Sequence, residues 1–129
     1  MYARDNVADA RDLQQQAVGD AVVQRAVTTF AMLADATRLR LLSCLLDSEH
    51  DVTALTAAVG AARPAVSQHL GKLRLAGLVT VRRDGRRAVY SVAGPHVHRL
   101  VTEALFAAEH QVSDRPAHHE LPSPRRRAG

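Results

Sequence analysis

The sequence predicts a mostly helical domain carrying one small β-hairpin. Three observations lead there. Aromatic residues make up only 3% of the 129, with no Trp, so the core must be built from Leu, Val and Ala, a composition that favours helices over an all-β sandwich. Apolar residues recur at helical spacing over most of the chain. One pair of Val-rich runs, LVTVRR and RAVYSV, brackets Asp84-Gly85, a strong short-range hairpin signal.

Residues 1–12 are polar and mixed, and are expected to form a flexible N-terminal arm. From Leu13 to Ala34 the pattern Val23, Ala26, Val27, Phe30, Ala34 predicts a first helix. Asp35 can cap a second, Thr37 to about Asp47, with Leu39, Leu42, Leu45 and Leu46 as its apolar stripe. DSEHD is expected to be a loop. Asp51 or Thr53 then caps a short helix, Ala54 to Val59, closed by Gly60. After GAAR, Pro64 sits where a first-turn proline is tolerated and opens a helix to about Ala76, ended by Gly77. The hairpin follows. A last helix, Pro95 to Glu109, keeps Val97, Leu100, Val101, Ala104, Leu105 and Ala108 on one face. The sequence beyond Gln111 has three prolines and no apolar period, so it reads as a tail. The organisation expected is an arm at 1–12, one domain at 13–111 and a His-containing tail at 112–129.

At 47% hydrophobic and 23% charged, the composition is that of a soluble globular chain. It shows no apolar run near ~18 residues and no hydrophobic signal core at its start, so no membrane partner and a cytoplasmic location are expected. The single cysteine, Cys44, excludes an intrachain disulfide and a Cys-rich zinc module, and its apolar neighbours mark it as structural. No helical His-Glu-x-x-His and no Gly-rich phosphate loop is present, so an enzyme is not expected.

Charge is concentrated rather than spread. The net charge is +4, yet Arg63 to Arg87 holds seven basic residues against one acid, Asp84. Such a local excess suits a phosphate backbone. Two short helices joined by a tight turn and followed by a hairpin describe a winged helix-turn-helix, whose second helix enters the major groove of DNA by its N-terminal end. Arg63, Ser67 and Gln68 are the residue types that pair with base edges there. His69 reads either as a base contact or as a packing residue, and Lys72, one turn on, as a phosphate contact. Arg82, Arg83, Arg86 and Arg87 put four guanidinium groups at the hairpin tip, within reach of flanking backbone or a minor groove.

The phrases LADATRLRLL, AVSQHLGKLRLAGLV and RRDGRRAVYSV, in that order and spacing, resemble the ArsR/SmtB family of bacterial repressors over roughly residues 25–110. The resemblance implies a homodimeric winged helix joined through its first and last helices. It also implies repression of an operon, lifted when a metal binds. One site of that family needs cysteines in the first helix of the reading pair, and VTALTAAV has none. Another uses four donors on the last helix, where this chain has Gly94, His96, Ala107 and His110 and so supplies two. HVHRLVTEALFAAEH with a following His-His is instead similar to the nickel- and cobalt-sensing, KmtR-type branch. By that resemblance the matching donors are His96, Glu109, His110, His118 and His119.

The residues themselves allow this arrangement. His96 and His110 are 14 residues apart, ~1400° of helix, so they share a face within about 40° but stand ~21 Å apart along the axis. Two antiparallel copies of the helix would set His96 of one beside Glu109 and His110 of the other, giving two symmetric sites. His118 and His119 lie within ~26 Å of extended chain from His110, close enough for a tail to fold back. Nitrogen and oxygen donors without sulfur suit nickel or cobalt as the inducing ion, and zinc or copper could also bind. A repressor with zinc or a non-metal inducer, and a histidine-tailed metal buffer, are the rival readings.

Overall fold

The computed structural model describes residues 10–13 and 17–120, with side chains as far as residue 113. Most of the expected N-terminal arm, and residues 121–129 of the expected tail, lie outside the described residues. Five helices and three strands follow Gly19: α1 (Asp20–Leu33), α2 (Ala36–Leu45), β1 (His50–Asp51), α3 (Val52–Val59), α4 (Arg63–Leu75), β2 (Val79–Asp84), β3 (Arg87–Val92) and α5 (Pro95–Glu120). Among the described residues no helix is long and apolar enough to cross a membrane.

Local chemistry sets most boundaries. Asp35 caps α2 by accepting the Arg38 N–H at 2.9 Å, and Asp51 caps α3 by accepting the Ala54 N–H at 2.9 Å. Gly60 closes α3 in the left-handed region, φ +68°, where a side chain would be strained. Leu78 donates its N–H to Leu73 O and its carbonyl accepts from Ala93, which fixes α4 to the start of the sheet.

The core lies where α2, α3, α4 and the sheet meet. Leu41, Leu42, Leu55, Val66, Leu70, Leu73 and Val101 are fully buried, and Leu45, Leu78, Val79 and Val89 nearly so. Each such side chain contributes ~1.5–3 kcal/mol, enough to hold short helices that could not persist alone. α1 differs, because none of its residues is buried.

Four expectations need correction. α1 begins at Asp20, not Leu13, because Gly19 takes an extended N-cap conformation and Asp20 supplies the first-turn acid. DSEHD is not wholly loop: His50 and Asp51 pair with Tyr90 and Val89, making a three-stranded antiparallel sheet of order β1-β3-β2. The hairpin turn is Gly85-Arg86, since Asp84 pairs with Arg87. Gly85 takes φ +63° while, among the described residues, no non-glycine residue has positive φ, as a two-residue turn with glycine in its first central position requires. Finally, α5 does not stop near Glu109 but runs to Glu120, through Pro116. A proline removes one hydrogen bond and kinks a helix; flanked by the helix formers Arg115, Ala117 and Glu120 it does not end this one.

Candidate nucleic-acid interface and metal donors

α4 buries Val66, Leu70 and Leu73 on one side. Helical spacing therefore turns Ser67, Gln68 and Lys72 to solvent, and all three are exposed. Arg63, in the first turn, is exposed and donates Nη1–H to Thr53 Oγ1 at 3.0 Å, which links the starts of α3 and α4. His69 is turned inward. Its Nδ1 lies 3.3 Å from Arg38 Nη1 and 4.0 Å from Asp35 Oδ2, and Arg38 also donates Nε–H to Met32 O at 2.7 Å. His69 thereby links α4 to the joint between α1 and α2. The Arg38 N–H at the cap, then Arg38 and His69 themselves, hold the Asp35 carboxyl below its ordinary value despite some desolvation.

The sheet projects as a wing, and its four arginines are not equivalent. Arg82 is doubly hydrogen-bonded to Glu49, with Nε to Oε2 at 3.1 Å. This bond draws the Glu49 carboxyl down and raises the Arg82 guanidinium further. Arg87 donates Nε–H to Asp51 Oδ2 at 2.9 Å and Nη1–H to Asp84 at 3.2 Å. Asp51 is held low first by the Ala54 N–H it accepts and next by Arg87. Among the described residues, Arg83 and Arg86 take part in no ion pair and are exposed. Sequence reasoning found all four cations but missed the carboxylates that hold Arg82 and Arg87. The signal was in DSEHD, which carries three acids beside a basic hairpin.

The donors on α5 are spread out. His96 is exposed and its Nδ1 accepts from Arg99 Nη2 at 2.9 Å. His98, set aside from the donor set, donates Nε2–H to Leu46 O at 2.9 Å. Glu109 and His110 are exposed and line a shallow groove with Phe106 and Ser113. His118 and His119 lie on the helix, ~12 Å past His110 along its axis, rather than on a returning tail. Among the described residues of one chain, no three His, Cys, Asp or Glu side chains come together as a metal cluster. Cys44 packs half-buried against the core.

Among the described residues, two helix faces carry exposed apolar side chains. Val22, Val23, Val27 and Phe30 on α1 are 44–62% exposed, and Phe106 and Val112 on α5 are 54% and 63% exposed. Apolar side chains gathered at this density mark an interaction surface.

A helix pair with one polar face outward, packed beside a basic three-stranded wing, defines a winged helix-turn-helix DNA-binding domain. Residues 35–81 match the family described as "Bacterial regulatory protein, arsR family". The chain is 50% identical over 93 residues to the HTH-type transcriptional regulator KmtR of Mycobacterium tuberculosis, covering 72% of each protein. To NmtR of the same organism it is 41% identical over 83 residues, 64% of this chain and 69% of that one. A solved relative, the homodimeric winged helix-turn-helix DNA-binding domain of Mb0332 from Mycobacterium bovis, superposes with a TM-score of 0.69 at 30% identity, over 76% of this chain and 94% of that one. The chain belongs to the ArsR family of bacterial transcriptional regulators.

Proposed function

We propose that the chain is a cytoplasmic metal-responsive repressor that binds an inverted-repeat operator as a homodimer and is released by nickel or cobalt. The observation carrying this reading is on α5: His96 and His110 share an exposed face but stand ~21 Å apart, and one chain gathers no three donors among its described residues. Two antiparallel copies complete the set, placing His96 against Glu109 and His110 of the second copy. The uncovered faces of α1 and α5 supply the apolar surface for that pairing, and the relative Mb0332 is itself described as homodimeric. Imidazole and carboxylate without sulfur fit nickel or cobalt, and zinc is the alternative inducer. His118 and His119 join the site when the turns beyond Pro116 leave the helix, which amide exchange with and without metal would read.

On the DNA side, Arg63, Ser67 and Gln68 meet the major groove, Lys72 the backbone, and the wing the flanking phosphates. Metal acts by preferring a dimer whose two reading heads are misplaced for the half-sites; a coupling of ~1–3 kcal/mol lowers operator affinity roughly 5- to 150-fold. The test is fluorescence anisotropy on the DNA upstream of its own gene, at fixed salt, with nickel, cobalt and zinc titrated separately. Release by nickel or cobalt at lower free metal than zinc, lost in His110→Ala, is the expected result. Tight binding indifferent to every metal would remove the sensor and leave the DNA-binding domain.

A further inference from the structure

Asp51 stands where the reading helices and the wing meet. One carboxylate oxygen accepts the Ala54 N–H at the start of α3, and the other accepts Nε–H of Arg87 on β3 at 2.9 Å. Its backbone is paired with Val89 of the same strand. Arg63, at the start of α4, is near enough to act on its charge, and is itself bonded to Thr53 two residues beyond. The Asp51 side chain is 22% exposed, against 57% for Arg87, so the carboxylate is enclosed by its partners while the guanidinium lies over it. α3 and β3 thus meet at one carboxylate, and α4 is tied in beside it through Arg63 and Thr53.

We infer that Asp51 is a positioning residue for DNA binding: it fixes the wing against the helix pair, and Arg87 serves as its strut rather than as a phosphate contact. This rests on the DNA-binding reading above. Two physical accounts give opposite signs. If Asp51 merely competed with phosphate for Arg87, removing its charge would lower repulsion from DNA and release a cation, and binding would tighten. If it sets the relative placement of wing and reading helix, the same change weakens binding to the upstream DNA. Non-specific binding, which tolerates many registers, changes little.

Asp51→Asn keeps the side-chain shape and a capping oxygen while removing the charge. Arg87→Gln leaves the α3 cap whole, although it also releases Asp84 on the neighbouring strand, so it repeats the test if Asp51→Asn folds poorly. Each variant and the double variant would be titrated by anisotropy onto a duplex of the upstream DNA and onto a random-sequence duplex, over a salt series. Expected is a loss of about five- to tenfold on the upstream duplex for either variant and no further loss in the double variant, as for two residues acting through one contact. Random-duplex affinity and the salt slope stay at wild-type values. Tighter or unchanged upstream binding by Asp51→Asn overturns the inference, as does a salt slope lowered by about two units per dimer in Arg87→Gln, the signature of two lost phosphates. Wild-type protein that binds neither duplex would instead remove the DNA-binding reading, and the inference with it.

Discussion

Arg83 and Arg86 should carry most of the wing's share of the salt dependence of DNA binding. Both are exposed and unpaired among the described residues, whereas Arg82 and Arg87 are held by Glu49 and by Asp51 and Asp84. The perturbation is Arg83→Gln with Arg86→Gln, which removes charge but keeps a polar side chain. With one phosphate per guanidinium and two protomers, four contacts are lost. At about 0.9 units each, the slope of log K against log salt should flatten by about 3.6. Between about 50 and 200 mM salt, a fourfold change, the wild type should therefore lose about two decades more affinity than the variant. Anisotropy on one duplex at five or six salt concentrations measures this directly. A slope that falls by less than one unit, or a fall of about 1.8 units in Arg82→Gln (two contacts per dimer), would refute the division of the four arginines into free and held.

Three further outcomes follow from the fold. Leu70→Ala, at a fully buried site of α4, should cost ~2–5 kcal/mol in urea unfolding at fixed protein concentration, with an unchanged m value. Gly60→Ala should cost ~1–2 kcal/mol although nothing lies within 4 Å of the added carbon, because φ is +68°; a neutral result would mean that the turn relaxes. Asp35, Glu49 and Asp51 all have carboxyls held below their ordinary values, so the stability they give is present above the unfolded carboxylate range and lost as pH falls through the folded values. The urea midpoint should accordingly be level near neutrality and fall in acid, and the triple Asn/Gln variant should flatten that fall.

The elements legible in advance were those whose signals are local. Asp35 and Asp51 as caps, Gly60 as a stop, the spacing of Val66, Leu70 and Leu73, and the alternation on both sides of Asp84-Gly85 each depend on neighbours within a few residues. What escaped depends on partners distant in sequence. His50-Asp51 becomes a strand only because β3, some forty residues later, presents Val89 and Tyr90 to it. Glu49 holds Arg82 across 33 positions, and His69 reaches Arg38 across 31. The end of α5 was misjudged for another reason, since a proline weakens a helix by a finite amount that flanking residues can offset.

The order β1-β3-β2 leaves β2, which carries Val79 and Val81, with one side unpaired among the described residues. An open row of backbone donors and acceptors is a template for another chain's strand. The opposite edge, β1, is blunted by being two residues long. β2 is six residues long and ends in Arg82, Arg83 and Asp84, the charged side chains that discourage edge-to-edge pairing. The arginines of the wing therefore also guard against self-assembly, and apolar replacements chosen to silence DNA contacts would turn a binding defect into a tendency to aggregate.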